Sequence, residues 1–355
     1  MKTAATIALC AAAIAAAPAL AFDGWHLENA TTIDNKTATY DYIAFDAGTK
    51  MLYLGHRKEG LQVFDPATHR LVRVIADTPA HSANGATLMP EFDLGVSNNE
   101  DGTLTPFKIS TGEARAAIQI AKEIDTSHYD PASKRLVVNV DAGADGTDLA
   151  IIAVPSLEVV GHIKVKTRKA EGADADGAGG FYLAEQDLGK VVKLDTAGMK
   201  VTAEWDVPGC AKPTGIAVDP AGKRVFVGCR GSDKSKPALV VLNSDTGAVV
   251  FSTEIGEGND GVVYDAGLQR IFASNGIGAN INIIEQTDAD HYKLVETLGT
   301  RAWVKVLAMD HAARKLYSMA AEGSSDTGKK IIVAVSPFYY NTVSSNTFTI
   351  FTFSR

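Results

Sequence analysis

An all-β fold, a seven-bladed β-propeller with four-stranded blades, is what this sequence predicts, and three observations predict it. First, one strand-pair signal recurs: a short apolar strand ending in Asp, a turn, then a basic residue and a second apolar strand. Ile216-Ala-Val-Asp219 followed by Arg224-Val-Phe-Val227 is a clear copy, and Val262-Val-Tyr-Asp265 followed by Arg270-Ile-Phe-Ala273 is another. Second, the anchors at 46, 90, 130, 176, 219, 265 and 310 are spaced 40 to 46 residues apart, the period of a four-stranded blade. Third, β-branched alternation dominates and almost no helical period is present.

The elements follow in chain order. Lys2, the apolar stretch Ala4 to Ala17 and the small-residue site Ala19-Leu20-Ala21 read as a signal peptide over residues 1–21,. The apolar run is too short and too Ala-rich for a good membrane span, and no later stretch is long enough either. Export to the periplasm or beyond is therefore expected, with cleavage near Ala21. Residues 22–338 carry the propeller. Within each repeat a third strand ends in a tight turn such as Phe64-Asp-Pro-Ala-Thr-His69 or Leu242-Asn-Ser-Asp-Thr-Gly247, where Asp, Pro and Gly suit the turn dihedrals. A fourth strand follows, as in Leu71-Val-Arg-Val-Ile75. The last repeat shows three strands, the third expected at Ile331-Ile-Val-Ala-Val335. Trp25 to Ile33 has strand character and no other partner, so it is expected to close blade seven as its fourth strand. Residues 339–355 read as a β-prone tail outside the ring; its stretch Thr347-Phe-Thr-Ile-Phe-Thr-Phe353 is uncharged and association-prone if exposed.

The chain has 34 Lys and Arg against 42 Asp and Glu, a net charge of −8; losing Lys2 with the leader makes it one unit more negative. That balance favours solubility and argues against nucleic acid as the main partner. The chain is expected to be a monomer.

Cys210-Ala-Lys-Pro-Thr-Gly-Ile-Ala-Val-Asp219 with Arg224-Val-Phe-Val-Gly-Cys229 resembles the periplasmic YncE-like, YVTN-repeat propellers. Tyr40-Asp41-Tyr42, Gly256-Glu-Gly-Asn-Asp260 and Ser274-Asn275-Gly276 share the resemblance, which spans about residues 25–335. It implies a seven-bladed propeller in the periplasm. The wider fold includes lactonases, lyases and binding proteins, so the resemblance implies no single activity. Lys169-Ala-Glu-Gly172 stands where the family usually has Pro-Glu-Phe, and the tail has no family counterpart.

Once the leader is gone, Cys210 and Cys229 are the two cysteines left. They flank the first strand pair of blade five, where an antiparallel hairpin brings them side by side. An exported chain favours a disulfide; a metal pair or a redox pair is the alternative, although close C-x-x-C spacing is absent.

No G-x-S-x-G elbow, P-loop or H-E-x-x-H occurs in the sequence. The remaining candidate is the mouth of the central channel. Aligning the repeats places Asp41, His81, Asp125, Glu171, Lys212, Asp260 and Arg301 just before the first strands. It places His56, Asn98, Asn139, Glu185, Arg230, Asn275 and Glu322 just after the second strands. From these, His56, His81, Asp125, Glu171, Glu185, Lys212, Asp260, Asn275 and Arg301 are the candidate ligand-binding residues, since convergent polar groups in a concavity mark a site. The alternative is that they cap strand ends and hydrate the axis. Two functions follow. In one, the mouth binds a small molecule, a metal ion or a periplasmic protein without catalysis. In the other, a hydrolase or lyase uses His81 or His56 as base, with a divalent metal ion held by His81, Asp125, Glu171 and Asp260.

Overall fold

The computed structural model describes residues 23–37, 39–140, 142–324, 326, 328 and 342–355. The expected signal peptide and the strand expected at Ile331–Val335 lie outside the described residues. Among the described residues, seven four-stranded antiparallel sheets succeed one another along the chain, and helix is almost absent. The first six blades start at the strands Ile43–Asp46, Ala83–Met89, Ile124–Asp130, Ala170–Ala175, Pro213–Asp219 and Asn259–Asp265. Each then adds its second, third and fourth strands in sequence order. First strands of neighbouring blades touch one another, so they line the axis.

Burial follows strand position. In blade five the third strand Ala238–Asn243 is almost wholly buried, whereas the outer strand Val249–Glu254 alternates. Middle strands therefore bury both faces, against the blade on either side. Seven apolar clusters result, each shared by two consecutive blades. Val137, Ile151 and Ile163 of blade three meet Phe181, Leu183 and Val192 of blade four. Tyr317, Met319 and Ile350 of blade seven meet Leu52, Leu54 and Phe64 of blade one. That last cluster closes the ring.

The repeated Asp is a turn device. Asp46 accepts the backbone N–H of Thr49 at 2.6 Å, Asp219 that of Gly222 at 3.0 Å and Asp265 that of Leu268 at 2.6 Å. The next strand is preceded by a residue at positive φ: Lys50 at 61°, Lys134 at 54°, Lys223 at 56° and Arg314 at 55°. An Asp side chain that bonds its own turn stabilises this tight reversal, which is why the signal recurs so clearly in the sequence.

Blade seven departs from expectation in one respect. Its strands are Ala308–Asp310, Lys315–Ala320, Thr349–Ser354 and His26–Thr32, in that order across the sheet. The N-terminal strand is the fourth strand, as expected, with Leu27 opposite Phe353 and Thr32 opposite Thr349. The third strand, however, comes from the tail, with Leu316 opposite Phe353 and Ala320 opposite Thr349. The expectation that the tail stays outside the ring is therefore corrected. A third strand is buried on both faces, and Thr349, Ile350, Phe351, Thr352 and Phe353 all are. The uncharged, β-prone character read as an exposed hazard is what a strand sandwiched between two others requires.

In blade five Cys210 and Cys229 form a disulfide with a Cα–Cα distance of 5.3 Å. Pro213 lies opposite Cys229 in the hairpin register, so Cys210 enters from the loop ahead of the first strand.

Candidate functional site

The first strands of blades two to six carry an irregularity near their start. In blade three the register slips between Ile124 and Ser127, in blade four between Ala170 and Ala173, and in blade six between Asn259 and Gly261. A bulge re-aims the side chain at that point. The residue concerned sits five positions before the turn anchor: Asp41, Asn84, Asp125, Glu171, Thr214, Asp260 and Lys305 in blades one to seven, with Met89 as the anchor in blade two. Four of the seven agree with the sequence alignment. Blade two supplies Asn84, three residues beyond His81. Blade five supplies Thr214, two beyond Lys212, and blade seven supplies Lys305, four beyond Arg301.

The four carboxylates are interleaved with four cations. Asp41 lies 2.5 Å from Arg57 and 2.9 Å from Lys305. Lys305 also reaches Asp260 at 3.5 Å, and Asp260 is paired with Arg230. On the other side Lys169 stands 3.4 Å from Glu171 and 3.3 Å from Asp125. Arg230 attracts Glu171, and Arg57 attracts Asp125, without direct contact. Taken blade by blade the signs alternate round the channel, and with every group ionised the ring is neutral. Asn84 fills the interval in blade two: it accepts from Arg57 and donates to the carbonyls of Ile124 and Asp125 at 2.9 and 3.0 Å.

Burial and charge divide the carboxylates into two kinds. Burial pushes Glu171 up to about 7, with Lys169 and Arg230 offsetting part of the effect. Asp125 is also raised, by burial and then by the Asp41 charge. Asp260 goes the other way: burial would raise it, but Arg230 and Lys305 hold it below its ordinary value. Burial opposes the charge on Lys169, yet Glu171 and Asp125 outweigh it and raise its pKa. Tyr42 sits among all four acids. Burial, then Asp125, Asp41, Glu171 and Asp260, drive its pKa well up, so the phenol stays neutral. The groups thus combine cations, one strongly ionised acid, one acid poised near neutrality and a neutral phenol.

The other sequence candidates lie elsewhere. His56 is fully buried and stacks on Phe348 at 3.8 Å between ring centres. Its ring nitrogens are bonded to Gln62 Oε1 and the Thr37 carbonyl, each at 2.9 Å, and burial lowers its pKa. His81 pairs with Asp101 at 2.5 Å. Neither histidine pairs with a ring carboxylate, and among the described residues no group of three or more His, Cys, Asp or Glu is placed to hold a metal ion. Glu185 is fully buried, and burial raises its pKa. Asn275 belongs to an amide cluster with Asn259, Asn280 and Asn282. Arg301 donates to Thr349 Oγ1 at 3.0 Å and lies over the Phe351 ring. Lys212 lines a separate small cavity with Arg230, Gly258 and Ile277. The groups left out of the candidate set are Asp41, Tyr42, Arg57, Lys169, Arg230 and Lys305. Counting five residues back from each Asp anchor finds Asp41 and Lys305; no sequence signal marks Arg57 or Lys169, which enter from loops.

Beside the ring a cleft of about 470 Å³ opens, lined by Arg57, Asn84, Glu100, Glu123, Asp125, Asn139, Arg168 and Lys169 among others. Its size suits a small ligand, and three cations and three carboxylates share its wall.

No protein-family model and no curated protein matches the sequence. Solved structures match in fold. One is titled as RRP9 WD40 repeats, with a TM-score of 0.72 at 7% identity over 91% of this chain and 96% of that one. A chain of the mitotic checkpoint complex gives 0.71 at 11% identity over 89% and 95%. A chain of Kuenenia stuttgartiensis hydrazine synthase gives 0.68 at 12% identity over 81% and 94%. At such identities the likeness is one of fold. The chain is a seven-bladed β-propeller, a scaffold that hosts many unrelated functions.

Proposed function

We propose that this chain is an exported, YncE-like propeller that binds a small polar ligand at the channel mouth without catalysis. The observation that carries the reading is the neutral ring of alternating charge opening into a polar cleft of about 470 Å³. Such a wall offers both signs of charge within a few ångströms, so it matches a ligand that itself bears both, a zwitterion. Arg57, Arg168 and Lys169 meet its anionic group, and Glu100, Glu123 and Asp125 its cationic group. Against catalysis stands the position of the two histidines considered as bases, which are paired with Gln62 and Asp101 and not with the ring carboxylates. Export draws support from the Cys210–Cys229 disulfide, which persists in oxidising compartments. Among the described residues no helix is long and apolar enough to cross a membrane.

The test is native mass spectrometry of the full chain, exported by its own leader, against a panel of free amino acids and dipeptides. The wild type should take up one equivalent of at least one zwitterion, and the Arg57→Gln, Lys169→Gln double variant should lose it. Equal uptake by both proteins, or none by either, would sink the reading. Retention of residues 1–21 in the exported protein would overturn the cleavage site.

A further inference from the structure

The channel continues past the charged ring. Three residues further along the first strands of blades one, three and four come Ala44, His128 and Asp174, about 10 Å deeper at the rise of a strand. There a second concavity of about 420 Å³, broadly open to solvent, lies between the first strands of blades one to four, and Phe45, Thr87, His128, Tyr129 and Asp174 are in its wall. No Lys or Arg lines it. The nearby Lys50, which lies over the Phe45 ring, is held by Asp310 at 3.4 Å.

Two groups in this wall are unusual. Nε2 of His128 is sealed from solvent and has no hydrogen-bond partner. Burial pushes the imidazole down to about 4, so it carries no charge at neutral pH. Asp174 accepts the backbone N–H of Ala175 and of Val218, each at 2.9 Å. Burial nevertheless pushes it up to about 6, which leaves it mostly ionised at neutral pH. The wall therefore bears one carboxylate, a neutral imidazole, two aromatic rings and no cation. Asp174 is half-buried and bonded only to neutral backbone N–H groups, so its charge has no cation beside it, and aromatic faces attract cations.

We propose that this open concavity is a second ligand site, separate from the mouth, that takes a small organic ammonium ion. Its N–H groups donate to the Asp174 carboxylate, and its apolar body lies against Phe45 and Tyr129. An anion meets only a carboxylate there, and a neutral molecule leaves the Asp174 charge unpaired.

Isothermal titration of the full chain near neutral pH tests this with three probes that share a phenylethyl body: 2-phenylethylamine, 2-phenylethanol and 3-phenylpropionate. The amine should bind at least about tenfold more tightly than the alcohol, as expected of a charge-assisted hydrogen bond, and the carboxylate should not bind. Asp174→Asn should remove the preference for the amine. Because Asp174 also bonds the Val218 backbone, a second variant guards against misfolding: Ala86→Phe, which fills the cavity, should abolish amine binding at an unchanged melting temperature. The Arg57→Gln, Lys169→Gln variant should bind the amine as the wild type does, which separates this site from the mouth. Equal affinity for amine and alcohol overturns the proposal. So does amine binding that survives Ala86→Phe or is lost on changing the mouth, and so does the absence of heat at millimolar amine.

Discussion

Glu171 shows how burial competes with charge at a single residue. Its side chain is 6% exposed and Lys169 lies 3.4 Å away, yet burial prevails and pushes it up to about 7. A carboxyl group raised on folding binds its proton more tightly in the native state. The stability this contributes is fully present below the unfolded value, near 4.5, and is lost as pH rises through about 7,. Glu171→Gln, which cannot ionise, should therefore be about as stable as the wild type near pH 5 and more stable near pH 8, by about 1–3 kcal/mol. Thermal melts of both proteins across that range check the sign; a variant less stable at the alkaline end would show that Lys169 and Arg230 outweigh burial. Lys305 occupies the opposite kind of position, bridging Asp41 and Asp260. Lys305→Gln should raise the pKa of Asp260, because one of the two cations that hold it down is removed. Carboxyl chemical shifts followed by NMR through the acid range would report it, and an unmoved Asp260 would mean that Arg230 alone sets its value.

At the level of elements, close backbone approach and the disulfide hold the hairpins in place. A Cβ built on Gly55 would meet the Asn84 carbonyl oxygen at 1.9 Å. Blade one and blade two touch there through main chain, and the contact positions Asn84 between Arg57 and Asp125. Gly55→Ala should cost about 1–3 kcal/mol, the range for overpacking, and should weaken ligand binding at the mouth. Urea denaturation that showed no loss would mean that the two strands can slide apart freely. In blade five, the disulfide closes a loop with a sequence separation of 19. Replacing both cysteines by serine should lower stability by about 3 kcal/mol in the chain-entropy picture. A double variant with unchanged unfolding free energy would contradict that.

For the whole molecule, the decisive feature is how the ends of the chain meet. Thr349–Ser354 lies between Lys315–Ala320 and His26–Thr32, so both termini share one sheet. Phe353 is 1% exposed and packs with Trp25, Phe272 and Leu316. Phe353→Ala should cost about 3–5 kcal/mol. Deleting residues 349–355 should do more: the second and fourth strands of blade seven lose their common partner, and an unpaired edge is an association hazard. Size-exclusion chromatography and a thermal melt of the truncated chain check this. A monomer with a wild-type melting temperature would place the tail outside the ring after all.

The sequence by itself determined the propeller, its blade count, the closing role of His26–Thr32 and the disulfide, because these rest on local signals. An Asp that bonds its own turn, a residue tolerant of positive φ and alternating β-branched residues are properties of neighbours along the chain. The same anchors located Asp41, Asp125, Glu171 and Asp260, since each lies a constant distance from a turn. Only the tertiary structure decided the rest. Asn84 sits in a bulge between Ala83 and Gly85, and a bulge is set by the register of two strands rather than by composition; Lys305 lies in the segment ahead of the first strand of blade seven. Arg57 and Lys169 become part of the ring because adjacent blades bring distant loops together. The tail strand was misplaced for the same reason. Its sequence says that it must be buried between strands, but which strands depends on where the ring finally closes.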